Sequence, residues 1–293
     1  MGEARKWRIC IPTVVKRERL VRLYVVFGNP INHSKSPFLH NFVFERLKID
    51  ARYVRFCLED TRDFREIFFD YGFSGANITV PFKEKLLESC DEVNGIATKI
   101  GAINTIIRKD SKLFGYNTDA IGFYKSLLDS ASIAIKNALI IGAGGSARAI
   151  AFILREHNID VKIINRSKNR LDFFQKNGFE CETFSDFSKC NNMAFDVIIN
   201  ATSSSISDEL PLDSAILGHC FDSANIAIDL MYGKKCRFLE LAKSHKIITL
   251  DGTKMLLYQA IEASNLFLNA HTREPKIAYK SIENAMICAY KNI

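Results

Sequence analysis

The sequence predicts an α/β protein built on parallel sheets. Short runs of β-branched and aromatic residues alternate along the chain with stretches of helical periodicity, a pattern typical of that architecture. The alternation becomes more regular from Ala138 onward, which indicates a second domain. Two closing segments have helical spacing but no strand of their own, so they must pack on a domain that is already built.

Five runs in the first part of the chain predict strands. A helical pattern with apolar residues on one face follows the first of them, after the stretch GNPINHSKSPFLHN. In that stretch we expect Ser36 to cap the helix and Pro37 to be its first residue. The predicted strands are Tyr24–Phe27, Arg52–Phe56, Gly75–Val80, Asn104–Ile107 and Lys112–Tyr116.

The middle of the chain carries five further strand candidates, ALIIG, VKIIN, FDVIIN, IAIDL and KIITL. Two closing helices follow, and we expect both to return to the first domain and to leave a cleft beside the second. Their helically spaced apolar residues are Leu256, Ala260, Ala263 and Phe267 in one helix and Ile282, Ala285, Met286 and Ala289 in the other.

These elements predict an extension followed by two domains. We assign residues 23–119 and 253–293 to a mixed α/β first domain and residues 120–252 to the second domain. Residues 1–22 form a basic extension ahead of the first strand. The sequence leaves open whether this extension reflects an upstream start codon, an expression artefact or a disordered arm.

Composition excludes several classes of protein. The 293 residues carry a net charge of +7, with 47% hydrophobic and 25% charged residues, as in an ordinary soluble globular protein. The charge suits small anionic ligands and nucleic acid alike and does not decide between them. Because the basic residues are dispersed without a nucleic-acid motif, nucleic-acid binding is not expected. No run approaches the ~20 apolar residues of a membrane span. Eight separated cysteines and six scattered histidines predict reduced thiols, a cytoplasmic location and no metal site.

The segment ALIIGAGGSARAIAFIL carries the most informative local pattern. Gly142, Gly144 and Ala147 satisfy G-x-G-x-x-G/A between a buried strand and a helix. Glycine permits the tight turn and lets backbone N–H groups approach a pyrophosphate at the positive helix N-terminus. Glycine pairs also simply end strands, but the flanking elements here favour dinucleotide binding in a Rossmann-type domain. The loop residues are Gly142, Ala143, Gly144, Gly145 and Ser146.

The end of the next strand indicates which dinucleotide binds. An NAD site places Asp or Glu about 20 residues further on, where it accepts from the ribose 2′-hydroxyl. A basic run without a carboxylate occupies this place, and Arg166 is able to bind a 2′-phosphate in bidentate fashion. A solvated basic loop has the same composition, but the missing acid favours NADP. The run comprises Asn165, Arg166, Ser167, Lys168, Asn169 and Arg170.

Three polar strings, NITVPFKEK, GAINT and GYNTDAIGF, end predicted strands of the first domain, where ligands bind in open α/β sheets. A carbonyl that is reduced to an alcohol needs a proton near the developing alkoxide, and Lys83 with Asp119 is the candidate pair. Taken singly, Lys83 is better explained as a surface lysine that opens a helix. Asp119 alone is likewise better explained as the cap of a helix over Ala120–Leu128.

Taken together, these motifs resemble the shikimate dehydrogenase family. From about Tyr24 to the C-terminus the chain carries, in order, SKSP, NITVPFK, GAINT, NTD, GAGGSARA, NRS, NAT, DLMY and DGTKMLLYQA. The family reduces 3-dehydroshikimate to shikimate with NADPH, on the route to chorismate and the aromatic amino acids. Its fold is a mixed α/β substrate domain, completed by C-terminal helices, beside a Rossmann domain, in agreement with the architecture expected from the residues.

The resemblance implies roles for individual residues. Lys83 and Asp119 would form the catalytic pair. The substrate would be held by Ser34, Ser36, Thr79, Lys83, Asn104, Asp119, Tyr232 and Gln259. The cofactor would be held by Gly142–Ser146 at the pyrophosphate, by Asn165–Arg170 at the adenosine end, and by Leu230 and Gly252 near the nicotinamide.

The resemblance also gives the serine motif a function, because the implied substrate carries a carboxylate. The hydroxyls of Ser34 and Ser36 can both donate beside a helix N-terminus, whose dipole favours negative charge. Tyr232, at the end of IAIDL, would add a third donor from across the cleft.

Two positions depart from the family's pattern. The string NATSSSI lacks the glycine that commonly follows NATS, so we expect the loop Ser203–Ser205 to take a different course. The string DGTKML carries Lys254 where a second glycine is usual, which brings a long cation near the hinge beside Gly252.

Two other functions stay open on the sequence alone. One is a quinate/shikimate dehydrogenase that uses NAD or NADP, although the run NRSKNR argues against an NAD preference. The other is a non-catalytic NADP-binding sensor of the same fold, against which the retention of Lys83 and Asp119 argues. The expected partner is a small-molecule substrate, without nucleic acid or membrane, and the state is either monomer or homodimer.

Overall fold

The computed structural model describes residues 21–130, 133–189, 194–233, 235–270 and 276–292. Its first sheet has six strands in the order β2-β1-β3-β5-β6-β4. These strands are β1 (Arg22–Gly28), β2 (Ala51–Cys57), β3 (Phe73–Ile78), β4 (Glu92–Val93), β5 (Thr105–Lys109) and β6 (Lys112–Tyr116). Strands β1, β2 and β3 pair in parallel, whereas β5 pairs antiparallel with both β3 and β6, so the sheet is mixed.

Four helices accompany this sheet or lead out of it. They are α1 (Ser36–Arg46), α2 (Phe64–Asp70), α3 (Ile96–Ile100) and α4 (Asp119–Leu128). Alternate residues of β1 face opposite cores, because successive strand side chains point to opposite faces of a sheet. Tyr24 and Val26 pack in the cluster that contains α1, and Val25 and Phe27 pack in the cluster that contains α2.

The second sheet is parallel throughout, in the order β12-β11-β10-β7-β8-β9. Its strands are β7 (Asn137–Ile141), β8 (Asp160–Asn165), β9 (Glu180–Thr183), β10 (Val197–Asn200), β11 (Ile226–Asp229) and β12 (Ile248–Leu250). The helices between them are α5 (Gly145–Glu156), α6 (Asp172–Lys176), α7 (Phe184–Phe187), α8 (Ser214–Phe221) and α9 (Arg237–Ser244). Ile140 faces the cluster that contains α5, and Leu139 faces the cluster that contains α8 and α9. Helices therefore cover both faces, as parallel sheets require.

The closing helices return to the first sheet, as predicted. They are α10 (Thr253–Asn269) and α11 (Tyr279–Tyr290), and they pack against α1. The Tyr24 hydroxyl donates to the Phe267 carbonyl at 2.9 Å. A Cβ added to Gly75 would lie 2.9 Å from the Phe267 ring, so glycine permits this close approach. The predicted fold class is confirmed.

Several predicted element bounds were wrong. Strand β3 runs over Phe73–Ile78 instead of Gly75–Val80, and Val80 turns outward with 63% of its surface exposed because Pro81 breaks the ladder. Strands β4 and β9 were not predicted. The extension 1–22 lies outside the described residues except for Val21 and Arg22, and Arg22 begins β1. None of the helices in the described part of the chain is long and apolar enough to cross a membrane.

Candidate active site

Lys83 and Asp119 meet in the cleft between the two sheets. Lys83 lies in the loop after β3, and Asp119 is the first residue of α4. Lys83 Nζ lies 2.5 Å from Asp119 Oδ2, and the side chains are 12% and 7% exposed. The structural explanations that the sequence favoured for each residue taken singly are therefore wrong. Lys83 is neither a surface residue nor the start of a helix, and Asp119 is the first residue of α4 and not its N-cap.

Asn104 fixes the second oxygen of the Asp119 carboxylate. Asn104 Nδ2 donates to Asp119 Oδ1 at 2.8 Å, and Asn104 Oδ1 accepts the Thr118 amide at 2.7 Å. Because a backbone amide only donates, it also fixes which side-chain atom of Asn104 is the oxygen. Asp119 is thus held by two side-chain donors, one on each oxygen.

A buried chain of hydrogen bonds continues from this pair to β2, which is an edge strand of the first sheet. Asn77 Nδ2 donates to Thr105 Oγ1 at 3.0 Å, and Thr105 Oγ1 donates to Asn104 Oδ1 at 3.0 Å. The Tyr53 hydroxyl donates to Asn77 Oδ1 at 2.6 Å. Sequence reasoning missed Asn77, Thr105 and Tyr53. Asn77 had a signal, since it opens the polar string NITVPFKEK, but Tyr53 sits in a strand and gave none.

Ser34 and Ser36 are both buried at the start of α1, with 6% and 7% exposure. Lys35 is the N-cap residue of this helix and Ser36 its first residue, so the expected Ser36 cap was wrong. Ser34 Oγ accepts the Ser36 amide at 3.3 Å. A side-chain oxygen that accepts from an amide two residues later satisfies one of the orphan donors of the first turn, and Ser34 performs that task.

Tyr232 reaches the start of α1 from the other side of the cleft. Burial raises the pKa of its phenol, while a hydrogen bond with the Lys35 backbone and the charge of Arg55 lower that pKa. Arg55 donates to the Ser34 carbonyl through Nε at 3.0 Å and Nη2 at 2.5 Å. The structure thus brings Ser34, Ser36 and Tyr232 together and adds a cation, Arg55, that the sequence did not reveal because it is part of a regular strand.

Gln259 lies near Asp119, whereas Thr79 lies at the end of β3 beside β1. Helix α10 crosses α4 at Gly122, where an added Cβ would lie 2.6 Å from the backbone nitrogen of Gln259. This close crossing brings the buried Gln259 beside the first turn of α4, which begins at Asp119. Thr79 follows β3 and is half-buried, and its amide donates to the Phe27 carbonyl at 2.9 Å.

The glycine loop has the geometry of a phosphate site. Gly142 has φ +111°, and a Cβ there would lie 3.0 Å from Thr202 Cγ2, so a side chain would be strained and crowded. A Cβ added to Gly144 would meet no described atom within 4 Å. None of the side chains that the structure describes caps α5, so its first amides are available to an anion. These features fit a pyrophosphate across Gly142–Ser146.

The loop also contacts the Lys83 side chain. Lys83 Nζ donates to Ser146 Oγ at 3.0 Å, and a Cβ added to Gly145 would lie 3.1 Å from Lys83 Cβ. The lysine therefore lies between the Asp119 carboxylate and the start of α5.

The basic run after β8 is exposed, in contrast to the rest of the site. Every residue from Arg166 to Arg170 has an exposed side chain, including Ser167, Lys168 and Asn169. Asn165 Nδ2 donates to the Ser167 carbonyl at 3.0 Å, and Arg170 Nη1 lies 3.6 Å from Glu84 Oε1. Within the described part of the chain Arg166 makes no ion pair, so its guanidinium is available to a phosphate.

Comparison with known families identifies this arrangement. A family model of the shikimate dehydrogenase substrate binding domain matches residues 26–106, and a model of shikimate / quinate 5-dehydrogenase matches residues 125–208. The chain is 44% identical over 269 residues to a shikimate dehydrogenase (NADP(+)) from Helicobacter hepaticus, with 91% of this chain and 98% of that protein covered. The chain belongs to the shikimate dehydrogenase family.

Solved structures of the family have the same fold. Shikimate dehydrogenase from Aquifex aeolicus superposes with a TM-score of 0.76 at 31% identity, covering 92% of this chain and 99% of that one. The enzyme from Thermus thermophilus, in complex with NADP(H) and shikimate, superposes with a TM-score of 0.75 at 30% identity and the same coverage. The resemblance inferred from the motifs is confirmed.

The first departure from the family pattern has a structural role. Residues 204–206 form a short 3-10 helix, and Ser205 Oγ donates to Asp229 Oδ2 at 2.6 Å. Asn200 Nδ2 donates to the same oxygen at 2.7 Å, and Asp229 Oδ1 accepts the Met231 amide at 2.8 Å. The loop thereby helps to anchor a buried carboxylate that holds the start of the segment leading to Tyr232.

The second departure, Lys254, forms a contact between α10 and α4. Lys254 Nζ lies 2.8 Å from Asp129 Oδ2 and donates to the Asp129 carbonyl at 3.1 Å. A Cβ added to the neighbouring Gly252 would lie 2.0 Å from the Leu230 carbonyl, so only glycine fits where these segments cross. A cavity of about 550 Å³ adjoins Leu230 and Gly252, but Lys83 and Asp119 do not line it.

Proposed function

We propose that the chain is an NADP-dependent shikimate dehydrogenase, which interconverts 3-dehydroshikimate and shikimate by hydride transfer on the route to chorismate. The contact of the buried Lys83–Asp119 pair with Ser146 of the nucleotide loop carries this proposal. A group poised for proton transfer is useful to a dehydrogenase only where it lies beside the cofactor. The NADP(+) named for the Helicobacter relative and the ligands of the Thermus structure support the assignment.

Lys83 has one hydrogen-bond donor left for the substrate. An ammonium group carries three N–H donors, and Asp119 and Ser146 use two of them. The third can donate to the oxygen that becomes an alkoxide when the carbonyl is reduced, and can supply the proton that oxygen needs. Asp119 keeps lone pairs on both oxygens and accepts a neighbouring substrate hydroxyl. The remaining residues of the binding site for the shikimate ring are Asn104, Thr79 and Gln259.

The carboxylate of the substrate occupies the start of α1. Ser34 and Ser36 present hydroxyls there, and Tyr232 presents a third from across the cleft. Arg55 donates a hydrogen bond to the Ser34 carbonyl and so adds a positive charge next to the proposed carboxylate site. The dipole of an eleven-residue helix favours an anion at the same point.

NADP, when bound, supplies the hydride acceptor or donor. The uncapped start of α5 would hold its pyrophosphate, and the exposed cations of Asn165–Arg170 would hold its adenosine end, with Arg166 as the partner of the 2′-phosphate. Leu230 and Gly252 would lie beside the nicotinamide. A Cβ at position 252 would clash with the Leu230 carbonyl, so these two segments can approach this closely only with glycine there.

The domain division follows the same proposal. Residues 23–119 with 253–293 form the substrate-binding domain and residues 120–252 the NADP-binding domain, a division supported by the separate sheets of the two parts. A cytoplasmic location is supported by the separated cysteines, because the described ones are free thiols. Monomer and homodimer are the two candidate states, and sedimentation velocity distinguishes them.

A spectrophotometric assay at about 340 nm, where NADPH absorbs, tests the proposed function. Purified protein should form NADPH from shikimate and NADP⁺, and should form NADH from NAD⁺ poorly. The same assay with quinate in place of shikimate tests the quinate/shikimate alternative. Asp119→Asn should lower kcat and raise KM for shikimate together, since this residue is proposed to hold a substrate hydroxyl as well as the lysine. Absence of NADPH formation by the wild-type protein would exclude the proposal.

A further inference from the structure

Glu84 follows Lys83 directly, and its carboxylate reaches across the cleft to the second sheet's helices and loops. Glu84 Oε2 lies 2.8 Å from Arg148 Nη2 on α5, and Glu84 Oε1 lies 3.6 Å from Arg170 Nη1 in the basic run. Two consecutive residues of one loop therefore contact both parts of the proposed cofactor site. Lys83 touches the pyrophosphate loop at Ser146, and Glu84 touches the loop at the adenosine end.

Arg148 is a fixed partner in this cluster. Its side chain is 14% exposed, and its guanidinium stacks on the Phe173 ring at 3.8 Å from the centroid. Its Nη1 also donates to the Gly101 carbonyl at 3.4 Å, and its buried Nε has no hydrogen-bond partner among the described residues. The ion pair with Glu84 is accordingly the main polar contact of a guanidinium that is already immobilised by stacking.

Arg170 is the exposed partner, with 58% of its side chain open to solvent. Burial lowers the pKa of Arg148, Glu84 raises it, and Arg170 lowers it, so the two guanidinium groups are close enough to repel each other. The Glu84 carboxylate lies between the two guanidinium groups and pairs with both. It is therefore the group placed to offset their repulsion and to orient the exposed Arg170.

A carboxylate near a phosphate site also repels the phosphate, and the two effects must be weighed. Glu84 and Arg148 carry opposite unit charges 2.8 Å apart, so their net charge is zero. At the longer distance of an incoming phosphate the repulsion from Glu84 is largely offset by Arg148. The remaining effect of Glu84 is the orientation of Arg170.

We propose that Glu84 is a positioning residue for cofactor specificity, which holds Arg170 in place for the 2′-phosphate of NADP and joins that contact to the loop that carries Lys83. This inference rests on the NADP dependence proposed above. It assigns to Glu84 a role in choosing between NADP and NAD, because NAD lacks the phosphate that Arg170 would meet.

The test is binding of two nucleotide fragments, adenosine 2′,5′-bisphosphate and 5′-AMP, to Glu84→Gln by calorimetry. We expect the bisphosphate to bind roughly three- to tenfold more weakly than to the wild type, since one charge-assisted contact loses its orientation but not its partner. Binding of 5′-AMP should not change. In the steady state KM for NADP⁺ should rise by the same factor, while kcat at saturating cofactor changes little.

A double variant separates positioning from a direct effect. If Glu84 acts through Arg170, then Glu84→Gln should have no further effect on bisphosphate binding in an Arg170→Gln background. Glu156→Gln is the matched control, because it breaks another carboxylate pair between the same two parts of the chain, Lys99–Glu156 at 2.8 Å, away from the cofactor loop. This control should bind both fragments as the wild type does.

Three results would overturn the inference: equal weakening of both fragments, tighter binding of the bisphosphate, or losses that add in the double variant. A wild-type protein that discriminates between the fragments, beside a Glu84→Gln variant that discriminates equally well, would remove only the role of Glu84. A wild-type protein that does not prefer the bisphosphate would instead refute the proposed NADP dependence, and the role of Glu84 with it.

Discussion

On the substrate side of the cleft the polar side chains are buried and bonded to one another, whereas on the cofactor side they are exposed. Asn77, Asn104 and Asp119 are each at most 6% exposed and belong to one hydrogen-bonded network. The side chains of residues 166–170 all face solvent. The fold itself therefore holds in place the side chains proposed to contact the substrate, whereas the side chains proposed to contact the cofactor phosphate are open to solvent.

This difference predicts how substitutions should behave. Removing a group from the substrate side disturbs its buried neighbours as well, because an unsatisfied buried polar group costs about 1–3 kcal/mol. Removing an exposed cation from the cofactor side changes affinity and leaves the free energy of unfolding nearly unchanged.

Lys83→Ala should have the largest effect. We expect kcat to fall by roughly 10²–10⁴, as for a lost acid–base group, with a smaller change in KM because the ammonium acts mainly on the developing alkoxide. Steady-state kinetics of shikimate oxidation measures both. Lys85→Ala, which removes an exposed lysine two positions away, is the control and should behave as the wild type. A kcat within a factor of about three of wild type would remove Lys83 from the chemistry.

The double variant Lys83→Ala/Asp119→Asn should lose less than the two single variants combined. The residues act as a unit through one contact of 2.5 Å, so removing the second partner finds most of the function already lost. Losses that multiply fully would show that the two groups work independently.

Arg166→Ala should weaken NADP⁺ binding by roughly ten- to a hundredfold, the equivalent of one charge-assisted hydrogen bond to a phosphate. Binding of NAD⁺ should barely change, since NAD⁺ has no 2′-phosphate. The melting temperature should stay at the wild-type value, because the side chain is exposed. Equal losses for both dinucleotides would contradict the assignment of this loop.

Ser34→Ala should raise KM for shikimate by roughly tenfold, for a charge-assisted bond of about 1.5 kcal/mol. The variant should also lower the melting temperature slightly, because Ser34 Oγ accepts the Ser36 amide. An analogue with an amide in place of the carboxylate sharpens the test. If the variant penalises acid and amide equally, the serines do not bind an anion.

Lys254→Gln should have the smallest effect, because both members of its ion pair with Asp129 are more than a third exposed. We expect a loss of about 0–1 kcal/mol in the free energy of unfolding, less at high salt, with kcat unchanged. The hydrogen bond and charge of Lys254 lower the pKa of Asp129, so the stabilisation is present at neutral pH. It is lost as the pH falls through that lowered pKa. Melting curves of both proteins at neutral and strongly acidic pH measure it, and a difference that persists in acid would exclude the ion pair as its source.

Strands were predicted correctly where a local apolar pattern marks them in the sequence, and were missed where no such pattern exists. Strands β7 and β10 were predicted to within two residues because each is a continuous apolar run that the sheet buries. Strand β4 has two residues and β9 is ECET, so neither carries a periodic apolar pattern. Both lie at an edge of their sheet, where one neighbour suffices and burial leaves little trace in the sequence.

The site residues also fall into a group that the sequence predicted and a group that it missed. Taken singly, Lys83 was better explained as a surface lysine and Asp119 as a helix cap. Only the order of motifs along the whole chain favoured a catalytic pair. Tyr53, Arg55 and Arg148 were not predicted, because each lies in a regular strand or helix whose sequence pattern serves folding equally well. Their contacts with site residues became visible only in three dimensions.

The sequence by itself determined the features whose cause is local. Gly142 has φ +111°, which glycine adopts without strain, and the run after β8 offers cations and no carboxylate whatever the rest of the chain does. Only the tertiary structure decided which side chains meet. Lys83 contacts Asp119 and Ser146 across 36 and 63 positions of sequence, and Glu84 joins two arginines of the other half. Such contacts depend on how two sheets pack against shared helices, and no periodicity within one segment encodes that packing.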